Sequence, residues 1–238
     1  MTNIINAKRI NQITTFLKSL NIQSKRFSEI TNNQNIAVLK IFNQALIHSS
    51  DDNDINYENL EFFGDAVLRL AASNFIEKKY PQMSVGERSE LRAQIVSDEW
   101  LTKLGKNIDI EKLIIKGPKA MGDENSRNTI IGEATEALIG SVYKCFDSIQ
   151  EVNLWLDDIW EEDSKIFLEA PYKFKPKTVL QEWCQSKGFN LPIYKIIEVS
   201  KKNGDPERFS CDIFIEGLKE SSALGKSHKQ AEQMQLEF

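Results

Sequence analysis

The chain has 238 residues, 41% hydrophobic and 27% charged, which bounds it to one or two ordinary globular domains with a real core. The first twenty residues lack the continuous apolar core of a signal peptide, and no segment approaches the ~18 apolar residues of a membrane span, so a cytoplasmic protein without a membrane partner is expected. The net charge of −5 speaks at first against nucleic acid, but residues 1–170 carry 19 Lys and Arg against 26 Asp and Glu, whereas residues 171–238 carry 11 against 9.

Apolar residues recur at intervals of three and four over 9–20, 35–48, 58–80, 87–108 and 129–146, which predicts five successive helices. Pro81 stops the third, and the polar, Gly- and Pro-containing loop 116–128 separates the last two. A further helix is expected over 149–168. The stretch "EAPYKFKPK" (169–177) holds two prolines and no helical period, so the first domain is set at 1–168, a linker at 169–175 and a second domain at 176–238. In the second domain a short helix over 178–189 precedes strands at 192–201 and 208–218, joined by the turn "KKNGDPE". A weaker strand near "SSAL" (221–224) and a final helix follow. The expected fold class is an all-α domain followed by a small α+β domain of the order α-β-β-β-α.

The third helix carries the chemistry. With Glu58 set at 0° and ~100° per residue, Glu61 falls near ~300° and Asp65 near ~340°, while Leu60, Phe63, Val67 and Leu70 fall on the opposite side, at ~120–200°. The pattern predicts an apolar face for the core and a narrow acidic face. Phe62, near ~40°, lies apart from the apolar stripe and needs a partner of its own. An isolated ExxExxxD is most often a solvated acidic face, although like charges at these spacings cost a few tenths of a kcal/mol that a bound cation would offset.

In "TIIGEATEALIGSVY" (129–143), Glu133 and Glu136 again share one face, beside Ala137 and Gly140, whose small side chains permit close approach of another helix. Two such helices crossing acid to acid would set Glu61, Asp65, Glu133 and Glu136 around one pocket. Hard oxygen donors suit Mg²⁺ or Mn²⁺. The scattered Cys145, Cys184 and Cys211 and the two histidines, His48 and His228, exclude a CxxC or histidine-rich zinc site. Such cations serve phosphoryl chemistry, and carboxylate pairs also serve glycoside hydrolysis; the paired helices and the basic tail favour a phosphate substrate.

At this point the sequence resembles the ribonuclease III family of double-stranded-RNA endonucleases. "NYENLEFFGDAVL" (56–68) is similar to the family's signature helix NERLEFLGDAVL, and "ALIHSS" (45–50) precedes it as ALTHRS does. "ELRAQIVSDEWL" (90–101), "IIGEATEALIGSVY" (130–143) and "KTVLQEWCQSKGFNLPIYKIIEVS" (177–200) resemble later family segments, in order and over nearly the whole chain. The resemblance implies an endonuclease domain followed by a double-stranded RNA-binding domain. It implies Glu61, Glu133 and Glu136 as metal ligands, Asp65 and Glu136 at the centre of catalysis, and Glu58 as a supporting acid. It also implies a homodimer with Phe62 as a dimer contact. The implied reaction is Mg²⁺-dependent hydrolysis of RNA, Mn²⁺ being the alternative ion. It leaves 5′-phosphates and 3′-hydroxyls, in ribosomal and messenger RNA processing and on other structured precursors.

In the tail, Thr178, Gln181 and Glu182 lie at i, i+3 and i+4 and match positions that touch the minor groove in the family. Lys226, Ser227 and Lys229, with His228 nearby, open the last helix, where dipole and lysine charge both favour phosphate. Lys116, Lys119 and Arg127 offer further phosphate contacts. Features that depart from the family include Glu133 in place of the usual Asp, Val85 at the position of a further acid with Glu87 two residues on, a shorter, less Gly-rich loop 116–128, Asp205 where a histidine is common, and a short last helix. They motivate an alternative, a catalytically weakened relative that acts as a structured-RNA-binding or assembly factor.

Overall fold

The computed structural model describes residues 5–51, 55–120, 124–170, 176–202, 204–215 and 221–226. The chain divides into two units, Met1–Ser164 and Lys165–Phe238. The helices are α1 (Ala7–Ser19), α2 (Lys25–Asn33), α3 (Ile36–Gln44), α4 (Glu58–Lys79), α5 (Val85–Ile95), α6 (Asp98–Asn107), α7 (Glu124–Phe146), α8 (Gln150–Glu169) and α9 (Pro176–Ser186).

Side-chain caps set most of the starts. Asn6 accepts from the Arg9 amide, Ser24 from Phe27, and Asn35 from Ala37 and Val38. Ser84 and Glu87 form a reciprocal capping box at α5. Ser97 accepts from the Trp100 amide and so starts α6, which divides the single helix expected over 87–108 in two. The short α2 is an addition to the expected helices: only Phe27 and Thr31 of it are buried, too few to write a period into the sequence.

Helix α7 is the hub and packs chiefly on α4 and α6. Ile131, Ala134, Ala137, Leu138, Ile139 and Val142 are all fully buried. Beside it, Phe75, Trp100 and Trp160 stack at centroid distances of 5.7 Å, and both indoles are satisfied: Trp100 Nε1 donates to Asp163 and Trp160 Nε1 to the Ile95 carbonyl. An isolated parallel bridge between Ile47 and Ile115 ties the segment before α4 to the one after α6.

The α4–α7 crossing corrects the expected orientation of α4. Leu60, Gly64, Val67, Leu68, Ala71 and Phe75 are buried, whereas Leu70 is 53% exposed and Phe63 only half-buried. The packed face is therefore rotated by roughly 70° from the stripe read on the sequence, toward the acids. The reason is the pair of glycines. A Cβ on Gly64 would collide with the Glu136 carbonyl, and one on Gly140 would lie 3.1 Å from the Gly64 Cα. Close backbone contact outweighs the larger apolar side chains in fixing which face is inside.

In the second unit, β1 (Ile193–Glu198), β2 (Phe209–Phe214) and β3 (Ser221–Gly225) form an antiparallel sheet in the order β1-β2-β3. Ile196 pairs with Cys211, which pairs in turn with Ala223. Cys184 of α9, Cys211 and Ile213 are buried in this unit. The order helix, strand, strand, strand is as expected, and the weak third strand is real; the final helix and most of the linker lie outside the described residues.

Gly64→Ala should lower the unfolding free energy by roughly 2–3 kcal/mol or abolish folding, because backbone rather than a flexible side chain must give way. Gly86→Ala, whose Cβ would meet only Ser84 Oγ at 3.9 Å, should stay within ~1 kcal/mol of the parent. Urea denaturation of the two variants measures the difference.

Candidate active site

A cavity of about 180 Å³ lies where α4, α6 and α7 meet, walled by Glu61, Glu133, Glu136, Asp98, Thr102 and Thr129 among others. Glu61 reaches it from the first turn of α4, and Glu133 and Glu136 from consecutive turns of α7. Each of the three is half-buried. The Gly64–Gly140 contact brings these two helices close enough for their carboxylates to share one space.

Asp65, one turn beyond Glu61, does not line this cavity. Its Oδ1 accepts from Arg69 Nε at 2.7 Å, yet it lies close enough for its charge to act on Glu136. Glu58 is exposed at the start of α4 and influences Glu61 only through its charge. Glu133 Oε2 accepts a hydrogen bond from the hydroxyl of Tyr57, which is itself buried. Among the described residues, no three carboxylates converge tightly enough to form a ready-made cation cage.

The charges are nonetheless costly in this arrangement. Burial, then the neighbouring charges of Asp65, Glu61 and Asp98, push the Glu136 carboxyl up to about 7, with Arg69 opposing. Burial, Glu133 and Glu58 raise Glu61 as well. An all-oxygen donor set in an electronegative cavity fits a hard divalent cation, which would relieve this repulsion.

Asp98 is a site residue that the sequence pattern does not single out. It is the first residue of α6, delivered to the cavity wall by the Ser97 cap. Tyr57, as a partner of Glu133, is likewise absent from the expected set. His48 has no catalytic posture. Its Nδ1 accepts from the Ser50 amide at 2.9 Å, Ser50 Oγ accepts from the Gly117 amide at 3.0 Å, and burial lowers its pKa. The imidazole ties two loops together. Val85 is 81% exposed, and Glu87 is committed to the Ser84 capping box, so neither is placed in the cavity. Burial pushes the Cys145 thiol up to about 12, consistent with a packing role.

From the cavity a hollow continues along α6 past Lys103 and Lys106 to a second one lined by Lys106, Lys112, Lys116 and Arg127 with Asp109 and Glu111. Glu111 holds Arg127 through two hydrogen bonds of 2.6 Å and meets Lys116 at 3.4 Å. The side chain of Lys119 lies outside the described residues. In the second unit, Gln181 and Glu182 are exposed and Thr178 half-buried on α9, and Lys226 is exposed after β3. Ser227, His228 and Lys229 lie outside the described residues. Asp205 accepts from Ser200 Oγ at 2.6 Å and from the Glu207 amide at 3.0 Å, so its carboxylate is occupied in shaping its own turn.

The Ribonuclease-III-like family model matches residues 39–153, and that of the double-stranded RNA binding motif matches residues 176–234. Ribonuclease 3 of Prochlorococcus marinus is 43% identical over 98% of this chain and 93% of its own length. Ribonuclease 3 2 of a Nostoc species is 31% identical over 82% of this chain and 80% of its own. Among solved structures, a nuclease domain of ribonuclease III from Campylobacter jejuni is 22% identical with a TM-score of 0.46, over 67% of this chain and 95% of that one.

The raised pKa of Glu136 has a stability consequence. Its contribution is fully present below its ordinary value of 4.5 and is lost as pH climbs through about 7, where the folded state must accept the charge. With metal chelated by EDTA, Glu136→Gln should therefore be more stable than the parent at pH 8. The expected margin is on the order of 1 kcal/mol once partial exposure is discounted, and it should vanish toward pH 5. Urea titrations at the two pH values check both the sign and the window.

Proposed function

The chain belongs to the ribonuclease III family, which makes it a metal-dependent endoribonuclease of double-stranded RNA, and we propose that Glu61, Asp65, Glu133 and Glu136 carry its chemistry. The observation that carries this reading is the convergence of Glu61, Glu133 and Glu136 from two crossing helices on one cavity. Glu61, Glu133 and Glu136 would hold Mg²⁺, or Mn²⁺ in its place. When bound, the cation supplies an activated water and neutralises charge on the scissile phosphate. Asp65 works beside Glu136 at the reacting phosphate, and Arg69 keeps its carboxylate oriented from the next turn. Glu58 supports the site through its charge alone. Cleavage leaves 5′-phosphate and 3′-hydroxyl ends.

The hollows along α6 suit an RNA strand leaving this site. Lys106 offers a cation to phosphate, while Lys103 is paired with Asp163 and Arg127 and Lys116 are held in place by Glu111. In the second unit, Thr178, Gln181 and Glu182 face the minor groove, and Lys226, Ser227 and Lys229 meet the phosphates across the major groove. The domain limits proposed are 1–168 for the nuclease and 176–238 for the RNA-binding part, with 169–175 as linker. The substrates proposed are ribosomal and other structured precursor RNAs, in the cytoplasm. Among the described residues no helix is long and apolar enough to cross a membrane. No observation favours the weakened RNA-binding relative: Glu61, Asp65 and Glu136 are all present.

The active species proposed is a homodimer. Phe62 is 84% exposed near the start of α4 and lies on the same helix face as exposed Leu70, an apolar stripe suited to cover by a second copy.

Two outcomes test these readings. Asp65→Asn and Glu136→Gln should each lower cleavage of long double-stranded RNA in Mg²⁺ by at least ~100-fold while leaving RNA binding in place; cleavage that survives either change removes that residue from the site. Phe62→Ala should shift sedimentation toward the monomer, and an unchanged dimer excludes Phe62 as its anchor.

A further inference from the structure

Glu133 has two methylenes before its carboxylate, and a side chain of that reach must be steered if one oxygen is to stay at the cavity wall. The steering group is a phenol. Tyr57, at the residue preceding α4, donates its hydroxyl to Glu133 Oε2 across 76 positions of sequence. Its own position is fixed on every side. It is 1% exposed, its amide donates to the Ile47 carbonyl at 2.9 Å, and its carbonyl accepts from the amides of Leu60 and Glu61 at 2.8 and 2.9 Å. Its ring packs edge-on to His48 at 5.4 Å, and His48 is itself tied to Ser50 and, through its amide, to Ile115.

Helix capping does not explain a tyrosine here. Tyr57 holds the N-cap position of α4, where Ser, Thr, Asp or Asn would be favoured, and its side chain makes no capping hydrogen bond. The capping acceptor comes instead from Asn56, whose Oδ1 takes the Glu58 amide at 3.1 Å. What the tyrosine adds at this place is a rigid hydroxyl aimed at a carboxylate of the site. A phenol ordinarily stays protonated well above neutral pH, so the hydroxyl is a donor throughout the working range.

We propose that Tyr57 is a positioning residue of the nuclease site: by holding Oε2 of Glu133, it leaves Oε1 as the oxygen available to the divalent cation. This inference rests on the reading of Glu133 as a cation ligand. Hydrogen bonds to ligating carboxylates fix ligand orientation, and their loss typically costs about 10–100-fold in metal affinity. The hydroxyl therefore acts on the cation through Glu133 and touches neither cation nor substrate.

The test is a Mn²⁺ titration of the whole chain without RNA, with free Mn²⁺ followed by electron paramagnetic resonance. Tyr57→Phe should weaken Mn²⁺ binding by about 10–100-fold in the parent background and by less than about 2-fold in a Glu133→Ala background. Its RNA cleavage should recover as Mg²⁺ is raised, so that the metal requirement shifts more than the rate at saturating metal. An unchanged Mn²⁺ affinity in Tyr57→Phe overturns the proposal. So does an equal loss in both backgrounds, which would mean that the tyrosine acts through the fold. If Tyr57→Phe does not fold, Tyr57→Met serves: it keeps an apolar side chain at this place without the hydroxyl, and undiminished Mn²⁺ affinity there overturns the proposal as well. Failure of the parent protein to bind Mn²⁺ would instead remove the cation reading itself, and this inference with it.

Discussion

The contact between Gly64 on α4 and Gly140 on α7 is the constraint on which the rest of the nuclease unit depends. With no Cβ on either residue, the backbones touch, and nothing bulkier than hydrogen fits between Gly64 and the Glu136 carbonyl. Helices packed through Leu or Phe would stand roughly 8–10 Å apart. The closer approach here lets carboxylates from both helices line one cavity of about 180 Å³. Glu61 and Glu136 sit about one turn before Gly64 and Gly140, and Glu133 about two turns before Gly140. The two small residues thus decide both the packing and the chemistry.

That closeness stores electrostatic energy. Carboxylates from two helices, half-buried in a common space, repel one another and lose hydration together, and Glu136 bears most of the effect. Among the described residues, no base lines the cavity to cancel the charge. Arg69 pairs with Asp65 at the surface side, and Lys103 is drawn away to Asp163 at 2.7 Å. A site left electronegative in this way is unfavourable alone and favourable around a divalent cation, so stability has been given up where function collects it.

The sequence displayed the acids, the small residues beside them and the two-unit organisation, because helical periodicity and the punctuation of Pro81 and residues 169–177 are local properties. What it concealed was tertiary. The rotation of α4 was hidden because Leu70 and Phe63 look more like core than Gly64 does, although close approach counted for more than side-chain area. The split of α5 from α6 was hidden because the apolar pattern runs across Ser97, whose capping bond is a single contact. Asp98 and Tyr57 were invisible as site residues, since each meets its carboxylate partner only after distant segments are brought together. The roles assigned to Ser227 and Lys229 lie in a part of the chain that the described residues do not reach.

The rotation of α4 also links site assembly to self-association. Turning the helix so that Gly64 meets α7 brings Glu61 to the cavity, and the same turn carries residues 62, 66 and 70 outward. Phe62 and Leu70, 84% and 53% exposed, then form one stripe with Ala66 at i, i+4 and i+8. An apolar stripe on the helix that bears the carboxylates cannot be buried inside the unit without removing those carboxylates from the crossing. Covering it from outside, with a second copy of the chain, satisfies both demands at once. The dimer proposed for the enzyme is then the counterpart of how its active site is built, since the glycine contact that gathers the acids also leaves the aromatic ring for a partner to receive.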